Sequence, residues 1–453
     1  MFVGFDYGSA NCAVGTMVDG QVKLAQLTQT SQYISSTLYA MDRELISEAV
    51  LHILPKSQQS QYAQMRSSQL ARARTARREL DLDADEQAVF VGQAAIDAYM
   101  EMPEEGFYVR SPKSFLGAKG LRAEQVALFE DIVTLMMSHV KRTAEANINH
   151  AITHAVIGRP VNFQGIGGEE SNQQAEAILR LAAQRAGFAD VAFLYEPIAA
   201  GMDYEASLNE DRCVLVVDVG GGTTDCSMVN MGPSHSQAID RSADFLAHTG
   251  QRIGGNDLDI ALAMGAFMPH LGLHTLMNNG LPVPSKPFWN AVAVNDISAQ
   301  REFASLSTKT MITDLIKDAR EPSLLSRLLK VQQDQLGYRI VRSAESVKIA
   351  LTDNDAVTVQ LDYLCDNIKA SVDEATFIEA IGAPSGKIVE LMSQAVEQAG
   401  RAPEVIYVTG GTARSPAIYQ VISGLYPQVP VVVGDHFGSV TAGLTRWAQK
   451  MFK

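Results

Sequence analysis

Residues 212–230 read R-C-V-L-V-V-D-V-G-G-G-T-T-D-C-S-M-V-N, and the fold turns on how this stretch is parsed. The β-branched and aliphatic run 214–217 is the pattern of a buried strand. Asp218 ends it, and Gly220, Gly221 and Gly222 then let the backbone turn sharply and bring its N–H groups close to an anion. Thr223 and Thr224 add hydroxyls, and Asp225 opens a second strand over 226–229. A bare phosphate cradle would not carry two carboxylates, because they repel phosphate. A magnesium ion between them resolves the conflict, since it takes carboxylates, waters and phosphate oxygens together. The plainer alternative is a tight hairpin whose Gly and Asp serve only the turn.

The N-terminus repeats the pattern. Residues 2–11 read F-V-G-F-D-Y-G-S-A-N, followed by C-A-V-G-T-M-V, so that an apolar strand, Asp6, Gly8 and Ser9 precede a second strand. Two such hairpins aligned Asp to Asp and Gly to Gly imply a duplicated lobe. The expectation is two similar sheets facing each other, with a nucleotide phosphate chain gripped from both sides.

The whole chain bounds these readings. At 453 residues it predicts about three domain-sized units, or two large lobes. A hydrophobic content of 46% excludes disorder, and a formal charge of -14 argues against a nucleic-acid partner. Cys12, Cys213, Cys226 and Cys365 have no C-x-x-C spacing, so neither zinc nor a disulfide framework is expected, and free thiols fit a reducing cytoplasm. The N-terminus meets an Asp at once, unlike a signal peptide, and no apolar run is long enough to span a membrane.

Between the hairpins, residues 55–86 read as an exposed helical insertion. Its Arg66, Arg72, Arg74, Arg77 and Arg78 are expected to form a solvated face balanced by Asp81, Asp83, Asp85 and Glu86. Lys113 follows Pro112 in S-P-K-S. Glu196 ends the strand 191–195, where a carboxylate beside a cleft can orient or deprotonate a water. Gly254 and Gly255 stand at a loop-to-helix junction, with Asn256 or Asp257 able to cap. Glu345 and Lys348 share one face of a helix over 339–352. Gly410 and Gly411, with Thr412 and Arg414, follow the strand 405–408, where paired glycines let a base or ribose lie flat against the backbone. Strands alternate with helices, an α/β pattern.

This ordered set of motifs resembles the actin-like ATPase superfamily, and within it the nucleotide-binding domain of the 70-kilodalton heat-shock (DnaK-like) chaperones. V-L-V-V-D-V-G-G-G-T-T-D and L-Y-E-P-I-A-A-G carry the resemblance most specifically. It implies two lobes, each with a ribonuclease-H-like mixed sheet flanked by helices. Lobe I would comprise 1–208 plus 430–453, with a helical insertion at about 51–100; lobe II would be 209–429, with an enlarged peripheral subdomain at about 256–340. It also implies ATP/ADP and Mg²⁺ as cofactors, with Asp6, Asp218 and Asp225 holding a hydrated ion. Ser9, Gly220, Gly221 and Thr223 would bind phosphates, with Gly8, Ala10, Asn11 and Gly222 in the same turns. Lys113 and Glu196 would position the attacking water, with Asp218 alongside them. Glu345, Lys348, Gly410, Gly411 and Arg414 would surround the adenosine, with Gly254, Gly255 and Thr412 also among the nucleotide-binding residues.

The sequence departs from the family at three places. Ala10 replaces a hydroxyl, Ile349 replaces an Arg that stacks on adenine, and Phe437 stands where an Asp is expected. A lost cation–π contact is worth roughly 0.5–2 kcal/mol. The chain also stops at Lys453, where a DnaK-like chaperone continues into a peptide-binding domain, so no such domain is expected. The leading expectation is therefore a chaperone-type ATPase, catalysing phosphoryl transfer to water mainly by positioning and charge neutralisation. Its partners would be nucleotide and client proteins or a co-chaperone. The alternatives are a nucleotide-sensing scaffold with little turnover, an actin-like filament protein and, least favoured, a small-molecule kinase.

Overall fold

The computed structural model describes residues 1–453 except 103–104, 164–167, 237, 239–240, 366 and 435–437. Contacts divide the chain into two compact units. The first is Met1–Arg252, Leu391–Gly411 and Pro427–Lys453; the second is Ile253–Glu390 and Thr412–Tyr426.

Two sheets of matching topology build the first unit. In one, β1 (Phe2–Tyr7), β2 (Asn11–Val18) and β3 (Gln21–Leu24) form an antiparallel meander. β8 (His154–Arg159) and β9 (Asp190–Tyr195) then add in parallel beyond β1. β4 (Ile34–Ser35) pairs with β2. In the other, β10 (Arg212–Val219), β11 (Thr224–Met231) and β12 (Phe245–Gln251) repeat the meander. β15 (Val405–Thr409) and β16 (Val431–Val433) repeat the parallel extension. Parallel strands need a crossover, and the helix Gly168–Arg185 supplies it between β8 and β9. A small third sheet has β5 (Thr37–Ala40) between β6 (Val89–Val91) and β7 (Phe107–Arg110).

Alternation along the strands decides what each face meets. Val3, Phe5 and Tyr7 point into a core with Met136, Val140, Ile178 and Leu179 of the helices Ala123–Ile148 and Gly168–Arg185. The intervening Gly4, and Gly15 of β2, leave room for Thr445 of the helix Gly438–Phe452 on the other face. In the second sheet Val214, Val216 and Val229 share a core with Ala199 of the helix Glu196–Glu205, and with Val440, Leu444 and Trp447 of the terminal helix. That cluster also takes Val156 and Leu194 from the first sheet, so this pair of helices forms a layer common to both. The helices cross closely at Gly443, where a Cβ would collide with the Ala199 carbonyl. The periodicity therefore puts Asp6, Asp218 and Asp225 on the faces turned to this layer.

The second unit is mainly helical. It contains Gly255–Leu262, Leu306–Asp318, Pro322–Gln333 and Gly337–Ala350, with the hairpin β13 (Ala356–Gln360)–β14 (Lys369–Asp373). Phe267, Phe288, Leu325, Leu328 and Val331 are buried within it. The boundary after Arg252 lies inside the stretch that sequence alone assigned to lobe II, because the second sheet shares its core with the first. Among the described residues no helix is long and apolar enough to cross a membrane. Cys12, Cys213 and Cys226 are buried and Cys365 exposed, all as free thiols.

Two local expectations are corrected. The sequence over 242–248 reads as one strand, whereas a short 3-10 turn, Ser242–Asp244, precedes β12. The insertion is helical (Lys56–Met65 and Ser67–Glu79), but its arginines are not one solvated face. Arg66 is 5% exposed and pairs with Glu130 and, at 3.0 Å, with Asp131, which also takes Arg185 at 3.1 Å. Arg72 and Arg77 pair with Glu44 and Glu48, each at 2.8 Å. The balancing carboxylates thus come from neighbouring helices rather than from 81–86, where Arg77 reaches only the carbonyls of Asp83 and Glu86. A buried guanidinium must be paired, and helix packing brought these partners within reach.

Candidate functional site

The antiparallel register sets Asp218 opposite Asp225 at the end of β10–β11, and Asp6 opposite Ala13 at the end of β1–β2. The second turn is closed by the Gly220 N–H donating to the Thr223 carbonyl at 2.9 Å. The first is pinned by Ser36 Oγ donating to the Gly8 carbonyl at 2.6 Å. The tips adjoin: a Cβ on Gly221 would lie 2.6 Å from the Ala10 Cβ, so glycine is needed there for room. Gly410, with φ +91°, follows β15 beside β10, and a Cβ on it would lie 2.6 Å from Asp218 Oδ1. One of the glycines expected near adenosine therefore abuts a carboxylate of the second hairpin.

Lys113 sits in the 3-10 turn Pro112–Phe115, after Ser111 in the left-handed region, and is 3% exposed. Its ammonium donates to the Gly158 carbonyl at 3.3 Å and forms an ion pair with Glu196. Glu196 opens the helix Glu196–Glu205 directly after β9, as expected of Y-E-P with Pro at the first turn. The structure thus brings Asp6, Asp218, Asp225, Glu196 and Lys113 into one electrostatic cluster within the first unit.

Burial first, then the Glu196 carboxylate, push the Asp6 carboxyl up to about 7 from an ordinary 3.8. Asp218 pushes it further, while Lys113 and the nearby Thr441 hydroxyl oppose. Asp218 is likewise pushed up to about 7 by burial and Glu196, and Asp225 is raised well above 3.8 by burial, Asp218 and Glu196. Four carboxylates face one ammonium, and the charge imbalance is what a bound cation would relieve. Among the described residues no three His, Cys, Asp or Glu side chains converge closely enough to hold a bare ion. Carboxylate oxygens are the donors that a hydrated Mg²⁺ takes.

Residues 117–266 match the family described as Hsp70 protein. This match supports an Hsp70-family protein. It is 33% identical over 132 residues to the Chaperone protein HscA homolog of Rickettsia rickettsii (strain Sheila Smith), covering 29% of this chain and 20% of that relative. The corresponding protein of Rickettsia bellii (strain RML369-C) is 32% identical over 133 residues, with the same coverage. The chain thus matches about a fifth of the length of these curated relatives. Mixed sheets flanked by helices are consistent with the actin-like ATPase fold of the Hsp70 family.

The residues expected around adenosine are distributed differently. Gly254 caps the helix Gly255–Leu262, with its N–H donating to Asp257 Oδ2 at 2.8 Å, so Asp257 acts from the third helical position rather than as the cap itself. Lys348 pairs with Asp259 Oδ1 at 2.7 Å and donates to the Gly255 carbonyl at 3.2 Å, all within the second unit. Glu345 pairs with Arg342 at 2.8 Å. Thr412 and Arg414 lie in the 3-10 turn Gly411–Arg414. Ile349 is 60% exposed, and Phe437 lies outside the described residues.

Sequence reasoning missed three residues of the candidate site. Thr441 reaches Asp6 from the terminal helix, and no local signal marked it. Asp259 holds Lys348, and the second Asp of N-D-L-D marks it only in hindsight. His248 of β12 lies 3.4 Å from Asp225 through Nε2, and no local signal in the sequence marked it.

Proposed function

We propose that the chain is a chaperone-type ATPase that binds ATP and hydrolyses it with magnesium. The observation that carries the reading is the half-buried cluster in which Asp6, Asp218 and Asp225, at the ends of two matching hairpins, share their surroundings with the Glu196–Lys113 pair. Asp6, Asp218 and Asp225 would hold the hydrated ion, which supplies charge neutralisation for the β- and γ-phosphates. Ser9, Gly220, Gly221 and Thr223 bind phosphate through turn N–H and hydroxyl groups. Lys113, held by Glu196 and the Gly158 carbonyl, presents a fixed positive charge. Glu196 orients the water and accepts its proton, within reach of the ammonium that steadies the resulting charge. Glu345, Lys348, Gly410, Gly411 and Arg414 are proposed to receive the adenosine, with Gly254, Gly255 and Thr412 as further nucleotide-binding residues.

Opening and closing of lobes 1–208 with 430–453 and 209–429 would couple nucleotide state to a client or co-chaperone. Phosphate release by the purified chain, with and without unfolded protein and Mg²⁺, tests the reading. Turnover that survives Lys113→Ala and Asp218→Asn unchanged would rule it out. Small-angle scattering that does not differ between ATP and ADP would remove the lobe motion alone. A second reading, binding with little turnover, is favoured by Ile349, an exposed aliphatic side chain that offers no cation to a base. Magnesium-dependent ATP binding without phosphate release over hours would select it.

A further inference from the structure

The strand beside the second hairpin, β12, carries a histidine that the proposed reaction has not used. In the register of β11 and β12, Ser227 lies opposite His248 and Asp225 opposite Gly250. Directly opposed and diagonal side chains on one sheet face are neighbours, so His248 can meet both Ser227 and Asp225. It does: His248 Nδ1 and Ser227 Oγ are 2.9 Å apart, and His248 Nε2 is 3.4 Å from Asp225 Oδ1. The space is made by Gly250, where a Cβ would strike Asp225 Oδ1 and come within 3.4 Å of His248 Nε2.

The arrangement selects a tautomer. Ser227 is fully buried, and its hydroxyl can donate to or accept from Nδ1. Facing Nε2 is a carboxylate, which only accepts when ionised. A proton on Nε2 sets a donor against that acceptor, whereas a proton on Nδ1 would set a lone pair against it. The His248 side chain is 9% exposed, and its Nε2 has no hydrogen-bond partner among the described residues. A buried N–H left unpaired is costly, and the atom it faces at slightly more than bonding distance is Asp225 Oδ1.

We propose that His248 is a positioning residue, donating from Nε2 to Asp225 and holding that carboxylate in the orientation that receives the hydrated magnesium ion. The role rests on the magnesium–nucleotide reading above. Ser227 fixes the ring through Nδ1, so Ser227, His248 and Asp225 act as a chain in which only the last approaches the ligand. The contact closes to hydrogen-bonding distance when Asp225 carries its full charge against the cation, as contacts in ligand-free sites commonly do.

Calorimetric titration of ADP, in Mg²⁺ and in EDTA, tests this in the wild type and in His248→Phe, His248→Gln and Ser227→Ala, with thermal melts recorded for each. His248→Phe is expected to weaken ADP binding in Mg²⁺ roughly tenfold, about one hydrogen bond to a charged group. Binding in EDTA and the melting temperature should stay unchanged. His248→Gln, which keeps an N–H at a comparable reach, should recover affinity to within about threefold, and Ser227→Ala should lose about threefold, again only in Mg²⁺. Equal losses in Mg²⁺ and EDTA would reduce His248 to a packing residue and overturn the proposal. So would wild-type affinity in His248→Phe, or in Ser227→Ala should the phenylalanine variant not fold. A wild type whose ADP binding ignores Mg²⁺ would bring down the proposed function itself, and this role with it. Magnesium-dependent binding that His248→Phe leaves intact would bring down the histidine alone.

Discussion

Across the ladder of the first hairpin Asp6 faces Ala13, whereas across the second Asp218 faces Asp225, with His248 on the next strand. The surrounding sheets are the same: a three-stranded antiparallel meander followed by two parallel strands. The turns differ again. One tip carries Ala10, and the other carries glycine at the position that touches it. A scaffold was duplicated, but the charge on it was not. The second hairpin concentrates carboxylates and their positioning groups, while the first contributes one carboxylate and a small apolar tip. Asymmetry of this kind is expected of a site that must hold a cation on one side and leave a path for phosphates on the other.

The sharpest way to break that comparison is to neutralise each half in turn. Asp218→Asn should lower phosphate release about a thousandfold and Asp6→Asn about tenfold, because Asp218 sits opposite a second carboxylate and beside Gly410. Equal losses would mean the halves share the load. Next in size is the layer between the sheets. Gly443→Val should destabilise the protein by about 3 kcal/mol in urea unfolding, since its side chain has nowhere to go against Ala199. Gly424→Ala, with open space around it, should not destabilise it. At the tips, Ala10→Val should weaken nucleotide binding about tenfold by pressing on Gly221, and Ala10→Gly should change it less than about twofold.

The smallest effect is on pH dependence without metal. The Asp6 and Asp218 carboxyls ionise near 3.8 when unfolded and at about 7 when folded. Between those values the folded state binds more protons, so its stability should fall as pH rises through the window and level off above it. Melts in EDTA should show a decline of a few degrees across that range. Asp218→Asn should shrink the decline, because one of the two groups is then neutral. A decline in Asp218→Asn as large as in the wild type would contradict the assigned charge imbalance.

Much of this was legible in the chain. Strand, Asp, glycines and strand form a local pattern whose period-2 alternation places the carboxylate at a hairpin tip, and Y-E-P places Glu196 at a helix start for equally local reasons. The arginines of the insertion were not legible. Whether a guanidinium is solvated or buried depends on which helix packs over it, and Glu130 and Asp131 lie far from Arg66 in sequence. Thr441 and His248 were missed for the same reason, since each acquires its role from a carboxylate on another strand.

By itself the sequence determined the two hairpins, the strands that carry them and the chemistry at their tips, because turn geometry and strand alternation act over a few residues. Only the tertiary structure decided that both sheets turn their carboxylate faces to one pair of helices, that Ala10 meets Gly221, and that Asp225 meets His248. Those outcomes follow from close packing between segments far apart in the chain, where the shape of one surface selects the contacts of another.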